Sequence, residues 1–213
     1  MSAIFRLDGA RGKLFDARGR QFDPAARAWH AAGPSSGEAV DAIGAATWLQ
    51  KDSGHPVRIP VGVIGPREAT PAQLAAAETV GAGLARMGFT VICGGRHGVM
   101  EAVCRGANKA GGITIGLLPD ADPSFANPHV SMVIATGIGE ARNALIARAA
   151  FCLVAIGDSF GTLSEVALGR QFGKLVVGLE GAARVDGVIH VADTRLALQE
   201  VALFALHASA VES

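Results

Sequence analysis

The sequence has no tyrosine, and aromatic residues fill only 5% of its 213 positions, so a core must be assembled from Val, Ile, Leu and Ala. Net charge is missing as well, because nineteen Lys+Arg cancel nineteen Asp+Glu. A chain without an overall field has no electrostatic means of recruiting nucleic acid or an anionic membrane. Cysteine is scarce. Cys93, Cys104 and Cys152 are odd in number, with no CxxC spacing and no pattern of histidine partners. A disulfide framework or a metal site is therefore not expected, and the three read as buried thiols in a reducing cytoplasm. No apolar run approaches the roughly 20 residues that cross a bilayer. The best, over 149–157, is the length of a strand, and Arg6 and Asp8 interrupt the place where a secretory signal would be continuously apolar. A cytoplasmic protein with no membrane partner is expected.

What the chain has in quantity is glycine, 28 residues in clusters rather than at a fixed period. Clustered glycine points to loops lined by backbone. Half of the residues are apolar, which excludes a disordered chain.

Two styles of sequence follow one another. In residues 1–55, short runs (Phe5-Arg6-Leu7, Lys13-Leu14-Phe15, Gln21-Phe22) alternate with Asp- and Gly-rich turns, which predicts a small β-meander. A polar linker over 33–37 and a helix over 38–50 complete this extension, which carries no catalytic arrangement. From residue 56 onward, β-rich runs over 59–64, 89–92, 113–118, 130–135, 151–156 and 175–179 alternate with helical patterns. These helices are expected over 71–87, 97–110, 140–149, 162–172 and 194–208. Continuous apolar strands joined by helices predict a Rossmann-like, doubly wound parallel α/β sheet flanked by helices. Ligands of such folds bind beyond the carboxyl ends of the strands.

Those ends lack both the GxGxxG of dinucleotide binders and the GxxxxGK[ST] of P-loop NTPases. Gly65, after the first strand, allows a close backbone approach. Gly94, Gly95 and Gly98, with Arg96 among them and Met100 just after, fit either an anion nest or a tight turn. The Pro- and Asp-rich loop over 119–128 has the length of a lid or specificity element. Arg142, after Gly139, would sit in the first turn of a helix, against the macrodipole, so it is better explained by an anion than by helix stability. In Gly157-Asp158-Ser159-Phe160-Gly161-Thr162-Leu163-Ser164-Glu165, the glycines shape a loop opening onto a helix. Thr162 and Glu165 also fit a capping box, so Glu165 is either a cap or a carboxylate aimed at the crevice.

The ordered set Cys93-Gly94-Gly95, Gly98-Val99-Met100-Glu101, Gly139-Glu140-Ala141-Arg142-Asn143 and Phe160-Gly161-Thr162-Leu163-Ser164-Glu165 resembles the lonely-guy (LOG) superfamily, formerly called "possible lysine decarboxylase". The branch it resembles most contains molybdenum-cofactor carrier proteins. The resemblance implies hydrolysis of the N-glycosidic bond of a nucleoside 5′-monophosphate to free base and ribose 5-phosphate. It implies Arg142 and Glu165 as catalytic residues, with Gly161 and Thr162 in the phosphate-binding turn. Taken with the strand-end loops, the expected phosphate or nucleotide contacts are Gly65, Gly94, Gly95, Arg96, Gly98, Met100, Gly139, Asn143, Gly157, Asp158, Ser159, Phe160, Gly161 and Thr162. No metal and no cofactor are required. The alternatives are a carrier with molybdenum cofactor (a pterin phosphate) as cargo and a nucleotide sensor. A homodimer or homotetramer is implied. This chain departs from the family in having Gly157-Asp158-Ser159 in place of Pro-Gly-Gly, Asn143 in place of Lys and Gly139 in place of Met. A lysine decarboxylase is not expected, since no lysine falls at the crevice to hold pyridoxal phosphate.

Overall fold

A computed structural model describes residues 5–33 and 36–208. The chain divides into two units, one made of the described residues up to Val57 together with those from Gln199 onward, the other of Arg58–Leu198. This differs from a boundary at 55/56 with everything after it in one domain, because the end of the last helix groups with the N-terminal segment.

The first unit contains five short strands, β1 (Phe5–Asp8), β2 (Lys13–Asp16), β3 (Arg20–Asp23), β4 (Ala28–Ala31) and β5 (Glu38–Val40), and helix α1 (Ala42–Lys51). They form an antiparallel sheet in the order β4-β3-β2-β1-β5. The meander is thus longer than its three legible runs. Asp16 builds one of its turns, accepting from the amides of Arg18 (3.0 Å) and Arg20 (2.8 Å). The rings of Phe5 and Phe22 lie 5.8 and 5.0 Å from that of Trp29, giving this small sheet an aromatic centre. Residues 38–40, expected to begin a helix, are a strand instead. Asp41, in extended conformation, accepts from the Gly44 amide and starts α1 only after it.

The second unit carries the remaining strands of the described residues: β6 (Val61–Ile64), β7 (Val91–Cys93), β8 (Thr114–Leu118), β9 (Met132–Ala135), β10 (Leu153–Ile156), β11 (Val176–Leu179) and β12 (Ile189–His190). All pair in parallel, in the order β12-β11-β10-β6-β7-β8-β9. β6, β10 and β11 are buried at every residue, as apolar strands covered on both faces must be. The helices are α2 (Pro71–Met87), α3 (Val99–Lys109), α4 (Asn143–Ala149), α5 (Phe160–Gln171) and α6 (Thr194–Ala205), the last crossing the boundary at Leu198. Thr70 and Gln73 form a complete capping box before Pro71, and Gly88 closes α2 in left-handed conformation. The chain runs outward from β6 to β9 on one side and from β10 to β12 on the other. The direction therefore reverses between β6 and β10, and a crevice opens at that switch point.

In this unit two helices start later than expected. α3 begins after Gly98, whose φ of +71° is closed to helix and whose Cβ, if present, would collide with the carbonyls of Arg67 and Pro66. Residues 139–142 form a tight 3-10 turn, so α4 begins only at Asn143.

Candidate functional site

Beyond the carboxyl ends of β6 and β10 lies a cavity of about 1040 Å³. Its volume lies at the upper end of the range of small-molecule sites. One wall is the start of α5. Ser159 caps this helix, its Oγ accepting from the Thr162 amide (3.1 Å) and meeting the Thr162 hydroxyl at 2.9 Å. The helix therefore starts at Phe160, and Thr162 is its third residue rather than its cap. Glu165 lies a full turn inside and is not part of a capping box. The first two amides, of Phe160 and Gly161, have no carbonyl in the preceding turn to bond, and they open beside a cavity that both residues line.

The lining also brings in Arg142, the last residue of the 3-10 turn. It is 4% exposed, and Glu165 is 6% exposed. Arg142 Nη1 stands 3.4 Å from Glu165 Oε1 and donates to Asn143 Oδ1 at 2.8 Å. Its guanidinium rests on the backbone of Gly94, where a Cβ would meet Arg142 Nη2 at 2.5 Å and Met100 Sδ at 2.6 Å. A side chain at this position would displace that cation or the Met100 thioether. Burial pushes the Glu165 carboxyl up to about 8. Arg142 opposes the shift and Glu140 adds to it. The shift favours the protonated carboxyl, beside a permanent cation, in a cavity open to a ligand.

A model of the SLOG cluster4 family matches residues 58–205. The chain belongs to the SLOG cluster4 family. Within the LOG superfamily it stands with the molybdenum-cofactor-carrier-like branch. It is similar to the molybdenum cofactor binding protein of Rippkaea orientalis (33% identity, TM-score 0.64), matching 68% of this chain and 96% of that one. It is likewise similar to the molybdenum cofactor carrier protein of Chlamydomonas reinhardtii (33% identity, TM-score 0.64), matching 70% of this chain and 98% of that one. An uncharacterised protein of Archaeoglobus fulgidus is 35% identical over 128 residues, 60% of this chain and 84% of the relative. DNA processing protein A of Streptococcus pneumoniae, at 19% identity and TM-score 0.54, shares the fold alone.

In this SLOG cluster4 chain the cavity gathers Gly65, Gly94, Met100, Arg142, Asn143, Asp158, Ser159, Phe160, Gly161, Thr162 and Glu165. Asp158, which would repel phosphate if it faced the anion turn, is exposed. The departure at Ser159 supplies the cap of α5.

Five residues expected at the site lie outside the lining: Gly95, Arg96, Gly98, Gly139 and Gly157. Arg96 is committed elsewhere, paired with Asp120 and lying 5.5 Å from the centre of the Phe125 ring. Asn127 donates to the carbonyls of Gly95 (3.1 Å) and Arg96 (3.0 Å), fastening the 119–128 loop to this turn rather than leaving it as a lid. Gly95, Gly98, Gly139 and Gly157 all have φ between +62° and +72°, so they serve the turns themselves.

Arg67, Glu68, Glu140 and Ser164 also line the cavity and were not singled out by the sequence. Charged residues in loops resemble solvated surface until the fold closes them around a space. Cys93 and Cys104 pack 3.5 Å apart, and burial pushes Cys152 up to about 12, so its thiol stays protonated. Among the described residues no group of three His, Cys, Asp or Glu is arranged to hold a metal ion, and no helix is long and apolar enough to cross a membrane.

Proposed function

We propose that the crevice binds a phosphorylated heterocyclic metabolite and that the Arg142–Glu165 pair hydrolyses the N-glycosidic bond of a nucleoside 5′-monophosphate. The observation that carries this reading is the burial of those two side chains together on one cavity that also receives the open start of α5. The phosphoryl group binds the Phe160 and Gly161 amides at the positive end of the helix. The Phe160 ring, 95% exposed on the cavity rim, offers a face for the planar base.

The remaining chemistry follows from the proton on Glu165. Cleavage of the glycosidic bond leaves positive charge on the ribose and negative charge on the base. A carboxylic acid with a raised pKa donates its proton to the departing base, and water adds its hydroxide to the anomeric carbon. The second proton of that water restores Glu165, so the products are base and ribose 5-phosphate. Arg142 holds an anionic oxygen of the ligand and fixes its approach. A positioned acid contributes roughly 10²–10⁴ in rate. The purified protein incubated with AMP or GMP is expected to release free base. Glu165→Ala should reduce release by about that factor, and activity should fall as pH rises through about 8.

A second reading, carriage of molybdenum cofactor, is favoured by the 33% identity to cofactor-binding proteins over nearly their whole length. The same turn would take the pterin's phosphate, and the cofactor would be cargo. Retention of molybdopterin fluorescence by the purified protein, without base release from any nucleotide, would decide for it. A homodimer or homotetramer working in the cytoplasm belongs to either reading.

A further inference from the structure

Arg142 is not left to choose its partners. Its Nη1 donates to Asn143 Oδ1 at 2.8 Å, Asn143 Nδ2 donates to Ser164 Oγ at 3.0 Å, and Ser164 Oγ donates to the Gly161 carbonyl at 2.7 Å. The polarity of this chain is fixed at both ends, because a guanidinium can only donate and a carbonyl can only accept. Asn143 thereby has a single amide orientation and Ser164 a single hydroxyl rotor. Asn143 is buried, so both ends of its amide are best satisfied within the protein, as they are here.

Once Glu165 ionises, an unrestrained arginine beside it would close onto it, often with two bonds. Here the neutral amide holds the nearer place and Glu165 stands at 3.4 Å, while the buried Nε of Arg142 has no hydrogen-bond partner. That nitrogen belongs to a side chain 95% buried on the cavity wall, and an unpaired donor there is costly unless a ligand supplies the acceptor.

We propose that Asn143 and Ser164 are positioning residues: they tie the Arg142 guanidinium to the first turn of α5, hold the cation and the anion-binding turn as one unit, and keep Arg142 from closing onto Glu165. This rests on the reading of that turn as a phosphate site. The relay itself, however, is measurable without any ligand.

The test uses the full chain with Ser164→Ala, Ser164→Thr and Asn143→Ala. The carboxyl of Glu165 is followed by carbon NMR in protein labelled at glutamate, its signal assigned by its loss in Glu165→Gln. Glu140 from the turn before α4, Arg67 and Glu68 from the β6–α2 loop, and Asp158 from the β10–α5 loop share its cavity and are unchanged in every variant. With the relay cut in Ser164→Ala, Arg142 moves onto Glu165 and the titration midpoint falls by roughly one unit. Ser164→Thr keeps the hydroxyl and the wild-type midpoint. Asn143→Ala shifts the midpoint in the same direction as Ser164→Ala. Affinity for AMP or inorganic phosphate, read by calorimetry, falls about tenfold in Ser164→Ala.

An unchanged midpoint in folded Ser164→Ala overturns the proposal, as does a shift of equal size in Ser164→Thr. If Asn143→Ala does not fold, the two Ser164 variants decide alone. Expected midpoints in a wild-type protein that binds neither AMP nor phosphate would uphold the relay and remove the phosphate reading.

Discussion

The most informative single group is Glu165, because its environment fixes a sign. In the folded chain it keeps its proton to about pH 8, whereas an exposed glutamate loses it near 4.5. Between those values the folded state binds the extra proton, so its contribution to stability is intact below 4.5 and is lost as pH climbs to about 8. Glu165→Gln removes that dependence. Thermal denaturation is expected to show the variant gaining on wild type as pH is raised from about 5 to about 8.5. A difference that does not change with pH would contradict the buried, proton-holding carboxyl. Gly94→Ala acts on the other partner. Its methyl would displace the Arg142 guanidinium, so AMP binding is expected to weaken by about tenfold or more in calorimetry. Arg142 was legible in the sequence because a cation at a helix start has no structural reason to be there. Arg67, Glu68 and Glu140 were not, since nothing in a loop sequence shows which charges will face a common space.

The start of α5 carries most of what a ligand would touch. Ser159→Ala removes its cap and is expected to cost about 1 kcal/mol in urea denaturation. Gly98→Ala, before α3, should cost more, roughly 2–3 kcal/mol, because a left-handed backbone and two carbonyls both oppose the methyl. Element boundaries were read well where the capping chemistry is unambiguous, as at Thr70-Pro71 and Gly88. They were misread where two caps compete. Ser159 and Thr162 both stand three residues before a polar side chain, and only the fold shows that Ser159 takes the amide. β4 was missed because Ala28-Trp29-His30-Ala31 has little apolar alternation, and β5 because Glu38-Ala39-Val40 runs unbroken into a genuine helix.

For the whole molecule, alternation of apolar runs and helices made the parallel doubly wound sheet legible. The order of its strands was not, because a buried run shows that a strand is covered on both faces without naming its neighbours. The switch point between β6 and β10, and with it the location of the cavity, emerged only from pairing. β9 ends the sheet with Met132 and Ile134 about half exposed, and α4 exposes Leu145. Together with the family resemblance, these surfaces lead to an expected light-scattering mass of at least twice the 21.7 kDa chain. A monomer at micromolar concentration would contradict it. The measurement that bears most directly on the crevice is a crystal structure with AMP at saturating concentration. The expected result places phosphate oxygens on the Phe160 and Gly161 amides, with Arg142 and Glu165 beside the bound nucleotide. An empty crevice, or AMP seated elsewhere on the protein, would contradict it.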